Sequence, residues 1–499
     1  MSLRELETSL LKLSKHDDWT LADACEGTII FGGNGSGKTS GSGRSLAQSF
    51  LAQGYGGLIL TAKVDEARNW IGYAERAGRT SDVILVEPNG PYRLNFLDYE
   101  AKRPGRGAGL TCELVRLLQM AMNGGRHRGQ SNDPYWDEAG AELLTNAIDI
   151  AQLADDKLSL SRIVDIMRTA PLSIADAETM SCSDSERFAQ LIKETGRNWG
   201  TDSLCAQAMR RAEDRVVDPE RRSDLRESFA YFLKQFASLA PQTRGSILAC
   251  LMARITGLLR SPFRTLFSTD TTVTPEDSFA GKLIILNLPI KEYGDAGRFA
   301  QVLFKTVWQR SVERRGSSGV PVFLWADEAQ YFVTEFDMLF QQTARSSRAA
   351  TVYLTQSIVN FRAALDSDQS EAISEALLGN LQTKIFHANA CPTTNEYAER
   401  LFGKELKYTT TAGVDSDRKA NVSLSQTYLP ILPGIKFTTL RKGGFANGKQ
   451  VDAYLFQAGK IWNGDAGTGK ANWLLVNFHQ ECPVPSPVPS TWCSSIPTR

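Results

Sequence analysis

The chain has 499 residues, 56 Lys and Arg against 56 Asp and Glu, eight cysteines and four histidines. That length admits more than one domain with a sizeable core, and the charge balance excludes a whole-molecule basic field for nucleic acid or anionic lipid. The cysteines form no C-x-x-C pair and the histidines are scattered, so a structural zinc site is not expected and the thiols are read as reduced.

Residues 1–19 (MSLRELETSLLKLSKHDDW) place Leu3, Leu6, Leu10 and Leu13 at helical spacing and lack the unbroken apolar run of a signal peptide. A helical segment is therefore expected over 1–24. No later stretch reaches the apolar length of a membrane span; the nearest, SILACLMARITGLL (246–259), is broken by Arg254 and Thr256. A soluble, cytoplasmic protein is expected.

Next comes FGGNGSGKTS (31–40), whose Gly32-x-x-x-x-Gly37-Lys38-Thr39 spacing matches the P-loop pattern. Glycines let backbone N–H groups turn toward a phosphate, a lysine adds charge on the β/γ oxygens, and a hydroxyl beside it reaches Mg²⁺. The candidate cradle is Gly32, Gly33, Asn34, Gly35, Ser36, Gly37, Lys38, Thr39 and Ser40. Its context fits: TIIF (28–31) reads as a buried strand, and SLAQSFLAQ (45–53) as a helix whose N-terminus faces the phosphates. ATP with Mg²⁺ is the expected cofactor.

GLILTAKV (57–64) and DVILVE (82–87) read as further strands, with a helix over 67–77 between them, which argues a mostly parallel α/β sheet. Over 110–239 the periodicity turns helical, as in CELVRLLQMAM, WDEAGAELLTNAIDIAQLA and SFAYFLKQFASLA. The α/β texture resumes at GKLIILNLPI (281–290), VPVFLWADE (320–328), TVYLTQS (351–357) and TKIFHANA (383–390), with a helix over 298–315. The expected architecture is a RecA-like nucleotide-binding domain over 25–105 and 240–480, interrupted by an all-α domain at 106–239. Its C-terminal part, 405–462, is β-rich, with a hairpin expected within 436–459. GDAGTGKA (464–471) lacks the hydroxyl after its lysine and reads as a loop, and the Pro/Ser-rich tail 483–499 as disordered.

VPVFLWADE supplies what a P-loop lacks. An apolar strand ends in Asp327, suited to hold the Mg²⁺ shell, and Glu328, suited to polarise the attacking water. Gln356, at the end of TVYLTQS, stands where an amide can sense the γ-phosphate, since strand C-termini line the ligand crevice of open α/β sheets. Between them ARSSRAA carries Arg345 and Arg348. Each suits either a solvated helix face or an arginine finger toward a neighbouring subunit.

The order of these motifs resembles a known family. The P-loop, LTAKVDE, YRLNFLD (92–98), DPYWDEAGAELL, ADEAQ, LTQS and LLGNLQTKIF follow one another as in the TraG/TraD-type coupling ATPases of type IV secretion and conjugation, in the FtsK/HerA branch of RecA-like motors. The resemblance covers roughly residues 25–405. It implies hexameric rings that bind and translocate DNA, with nucleotide roles on Lys38, Thr39, Asp327, Glu328 and Gln356, and it favours Arg345 as the finger in trans. Members usually begin with membrane-spanning helices, whereas this chain has none. Where many read D-P-K-G, this one reads Thr61-Ala62-Lys63. A soluble coupling-type motor is thus expected, with a secretion channel, relaxase or nuclease as possible partner. The alternatives are the ATPase subunit of an anti-phage defence complex and a receptor for secreted protein substrates.

DNA contacts are sought locally. GGRHRGQ (124–130) carries Arg126, His127 and Arg128 without an acid and suits sequence-independent phosphate contact. RRAEDRVVDPERRSDLR (210–226) mixes its arginines with acids and reads better as a solvated helix with i,i+4 pairs. Lys282, Lys291 and Lys384 are further candidates for a pore lining.

Overall fold

A computed structural model describes residues 6–123, 134–365, 370–414, 420–464 and 471–481. These fall into two compact units: one holds the chain up to Ile84, Pro275–Asn287 and the chain from Gln309 onward, the other Leu85–Thr274 with Leu288–Trp308.

The first unit is built on a nine-stranded sheet. Its strands are β1 (Thr28–Phe31), β2 (Gly56–Leu60), β3 (Val83–Val86), β4 (Leu283–Leu286), β5 (Val322–Ala326), β6 (Ala349–Thr355), β7 (Thr383–Phe386), β8 (Gln450–Gln457) and β9 (Trp473–His479). They lie in the order β9-β8-β7-β1-β6-β5-β2-β4-β3. From β7 to β4 every neighbouring pair is parallel, whereas β8 joins β7, and β9 joins β8, antiparallel. The sequences explain the difference. TIIF, GGLIL, LIIL, VFLWA and AATVYLT are buried at every position, as strands covered on both faces must be. WLLVNFH alternates buried and open positions, as an antiparallel edge strand can. Gly57 is needed where the layers close up, since a Cβ there would lie 2.6 Å from the Phe323 ring. That ring stacks on Phe50 at 5.1 Å and on Trp70 at 5.5 Å.

Two expectations for this unit are corrected. The segment 1–24 is not helical where it is described: Ser9–Lys12 and Asp18–Thr20 pair antiparallel, and a helix, Leu21–Cys25, starts only after the Thr20 cap. Buried Trp19 donates its indole N–H to Thr383 Oγ1 at 3.3 Å, and the Leu13 N–H closes the turn on the Asp17 carbonyl at 2.9 Å. Those anchors override the leucine spacing. Within 436–459 the expected hairpin is reduced to one antiparallel bridge, Lys442 to Val451. Ile435–Thr438 is a single helical turn, and β8 instead joins β7 and β9, where its alternate Val451, Ala453 and Leu455 become buried. Lys404–Val414 and Ala420–Pro430 form a separate antiparallel pair. Residues 465–470 of the second Gly-rich loop and the tail 483–499 lie outside the described residues.

The second unit is helical over the described part of 110–239. Helix Pro134–Ala154 buries Leu143, Leu144, Ala147, Ile148 and Ala151, a stripe of helical period. Ser159, Asp184, Ser203 and Asp218 each cap the helix that follows with a side-chain oxygen, which divides the run into short helices. The unit is wider than the expected 106–239. Fully buried Asn95 explains why, because its Nδ2 donates to the Leu158 carbonyl at 2.8 Å and its N–H to the Asp270 carbonyl at 3.0 Å. Three distant stretches of chain are thereby tied together.

Candidate functional site

Every strand near the centre of the sheet runs the same way, so the loops after β1, β2, β5, β6 and β7 emerge at one edge. The candidate nucleotide residues collect there. After β1 the chain turns through Gly35 and Gly37, whose φ of 67° and 86° suit glycine and strain other residues. A Cβ on Gly37 would lie 2.7 Å from Val451 of β8, and one on Gly32 would lie 2.4 Å from Ser36 Oγ. Gly37 is thus required by space as well as by φ, and Gly32 by space. Thr39–Gly43 then forms one π-helical turn before the α-helix Arg44–Ala52, with the Gly43 N–H on the Lys38 carbonyl at 2.8 Å. Such turns recur at functional sites.

Thr39 Oγ1 donates to Asp327 Oδ2 at 2.7 Å, joining the P-loop to the end of β5. Glu328 follows in the left-handed region, φ 54° and ψ 49°, a conformation that costs about 1–3 kcal/mol outside glycine. Its carboxylate accepts from Lys63 Nζ at 2.8 Å and from Gln330 Nε2 at 2.8 Å. Gln356 Nε2 donates to both oxygens at 3.3 Å, and Lys38 Nζ stands 3.8 Å away. Gln330 is itself held by Thr355 Oγ1 at 2.9 Å. The structure thus brings Lys38, Thr39, Asp327, Glu328 and Gln356 together.

Burial pushes the Glu328 carboxyl upward, but the hydrogen bonds from Lys63 and Gln330 and the charges of Lys38 and Lys63 outweigh it and hold the group at about 2. The same pairing raises Lys63 against its burial, with the Asp327 charge the largest favourable cause. Glu66, at the start of helix Glu66–Arg76, behaves oppositely. Burial, reinforced by the Asp327 charge, pushes its carboxyl up to about 8.

The donor set suits Mg²⁺ with a nucleotide. Thr39 and Asp327 offer hard oxygens, and Mg²⁺ needs few protein ligands when phosphates complete its shell. Among the described residues, no group of three or more His, Cys, Asp or Glu could hold a metal by itself. The buried Ser36 hydroxyl, on the cradle, has no hydrogen-bond partner among the described residues.

Arg345 is elsewhere. It precedes β6, so it stands at the edge of the sheet opposite its own P-loop, more than half exposed and 2.8 Å from Glu26 Oε1. Of the other basic candidates, Lys384 is buried and donates to the Leu381 carbonyl at 2.6 Å, with burial lowering it to about 8. It lines no pore. Lys282 pairs with Asp82 at 3.1 Å. In the arginine-dense stretch, Arg211 and Arg215 pair with Asp155 and Asp156, just beyond helix Pro134–Ala154, rather than with i,i+4 partners. The loop 124–130 lies outside the described residues.

Sequence reasoning passed over four neighbours of the site: Lys63, Glu66, Gln330 and His387. His387, the first residue after β7, is buried, with Ser42 Oγ at 2.7 Å from Nε2 and the Asp452 carbonyl at 3.1 Å from Nδ1. Burial lowers it to about 4, so the ring is neutral, Nδ1 carries the proton for that carbonyl, and Nε2 accepts from Ser42. It braces the turn that follows Thr39. The usable signal was position, a polar residue at or just past the end of a buried strand.

No family model and no curated protein matches the chain. Among solved structures, it is similar to the plasmid coupling protein TrwB in complex with a non-hydrolysable ATP analogue, at 14% identity and a TM-score of 0.55 over 97% of this chain and 95% of that one. TrwB with ADP and Mg²⁺ aligns at 13% and 0.52, with the same coverage. The unbound monoclinic form of the bacterial conjugative coupling protein TrwBdeltaN70 aligns at 13% and 0.52, over 97% and 92%. The chain therefore has the RecA-like α/β fold with an all-helical part found in TrwB, and the resemblance to TraG/TraD-type coupling proteins holds at the level of fold.

The Glu328 geometry predicts a pH signature. A carboxyl held at about 2 in the fold, against an ordinary 4.5, contributes stability that is complete above 4.5 and is lost as pH falls toward 2. Glu328→Gln removes that titration. Its unfolding midpoint, followed by circular dichroism, is expected to fall less steeply than the wild type's between pH 4.5 and 2. Parallel curves contradict the clamped carboxylate.

Proposed function

We propose that the chain is an ATP-hydrolysing, DNA-translocating motor of the coupling-protein type, working in the cytoplasm as a hexameric ring. The observation that carries this reading is the Thr39–Asp327 contact, with Glu328 and Gln356 beside it at one sheet edge. Lys38 neutralises the β/γ oxygens, while Thr39 and Asp327 hold Mg²⁺, which when bound offsets phosphate charge. Glu328 polarises the attacking water and Gln356 senses the γ-phosphate. Both Glu328 oxygens are covered by donors, so water reaches the base only after Lys63 or Gln356 shifts.

Arg345 acts across the subunit interface. Its station at the far edge of the sheet argues against service to its own P-loop and supports a finger in trans, which in such motors contributes about 10³–10⁵ in rate. DNA is held through backbone charge, with Arg126, His127 and Arg128 as the proposed contacts.

Single- or double-stranded DNA is expected to raise ATP turnover at low salt, with the stimulation fading as salt rises. Turnover indifferent to both DNA forms at every salt contradicts a DNA motor. Arg345→Ala and Lys38→Ala are each expected to be inactive alone, and mixing them to restore part of the activity by pairing an intact P-loop with an intact finger. No recovery in mixed rings shown to form contradicts the trans assignment.

A further inference from the structure

Beside the contact between Thr39 and Asp327 lies a cleft of about 20 Å³, bounded also by Arg44, Glu66, Asn69 and Trp70. That volume holds about one water. Glu66 is 7% exposed, and its two oxygens are used differently. Oε2 accepts the Ala62 N–H at 2.7 Å, which fixes the carboxylate against the loop after β2. Oε1 is buried and has no hydrogen-bond partner among the described residues. A buried carboxyl oxygen without a hydrogen-bond partner is expensive, and Glu66 lines a water-sized cleft beside Thr39 and Asp327 that can supply one.

We infer that Glu66 is a positioning residue for the divalent cation: its Oε1 accepts a hydrogen bond from a water in the Mg²⁺ shell held by Thr39 and Asp327. Mg²⁺ releases its waters reluctantly and is commonly bound through them, so a carboxylate one water away orients the shell without displacing it. The Ala62 N–H holds the Glu66 side chain in place before any cation arrives, so little ordering remains to be done on binding. Asn69 and Arg44 close the cleft around it.

This inference rests on the nucleotide reading of the site, and the test separates the two. ADP is titrated calorimetrically into the full chain in EDTA, and Mn²⁺ affinity of the ADP complex is then read from the free-Mn²⁺ EPR signal. Glu66→Gln preserves shape and an acceptor for Ala62. It is expected to bind ADP in EDTA like the wild type while its ADP complex binds Mn²⁺ about 10–100-fold more weakly, the usual effect of losing an outer-shell partner. Wild-type Mn²⁺ affinity in Glu66→Gln overturns the inference. Loss of metal-free ADP binding in both Glu66→Gln and Glu66→Ala also overturns it, because Glu66 then supports the loop rather than the cation. If the wild type itself binds no ADP, the nucleotide reading is what fails.

Discussion

The hydrogen bond from Thr39 to Asp327 joins residues 288 positions apart in the chain, and the site depends on it. It holds only because β1 and β5 end at the same edge of a parallel sheet, on either side of β6. The buried apolar strands set that register, so core packing becomes the positioning of a hydroxyl against a carboxylate. Val451 of the antiparallel β8 adds the last wall, lying close enough to Gly37 and Gly41 that neither tolerates a Cβ without displacement. Edge strand, glycine-rich loop and acidic strand end are thus one mechanical unit.

Around this frame the polar groups are tightly partnered. Glu328 takes a left-handed conformation and is covered by Lys63, Gln330 and Gln356. Those donors satisfy a buried charge that would otherwise be costly, and they also keep the carboxylate from water. If Glu328 is the base proposed above, it must be released to act. Lys63 is two-fifths exposed on its loop and can move, whereas Gln330 is fixed by Thr355.

Much of this was legible in the sequence, for identifiable reasons. P-loop glycines, a lysine–threonine pair and a carboxylate pair ending an apolar strand are short-range patterns whose chemistry dictates their residues. Fully apolar strands announced the parallel sheet. What escaped depended on long-range packing. The N-terminal leucines gave a helical period, yet Trp19 and the Asp17 turn draw that segment into a hairpin. The hairpin expected within 436–459 shrinks to the Lys442–Val451 bridge, because β8 pairs along its length with β7 and β9. Asn95 widened the helical unit through contacts with Leu158 and Asp270, which no local pattern announces. Lys63, Glu66 and His387 went unread because each matters only through a partner that the fold brings near.

The central claim is that the edge where Thr39, Asp327 and Glu328 meet is a hydrolytic centre with Glu328 as its base. The most direct measurement is a single-turnover ATP assay on Glu328→Gln, paired with a binding isotherm for MgATP. The account predicts MgATP affinity close to that of the wild type and a chemical step slowed by about 10²–10⁴, the usual contribution of a positioned base. Hydrolysis at the wild-type rate in this variant would contradict it.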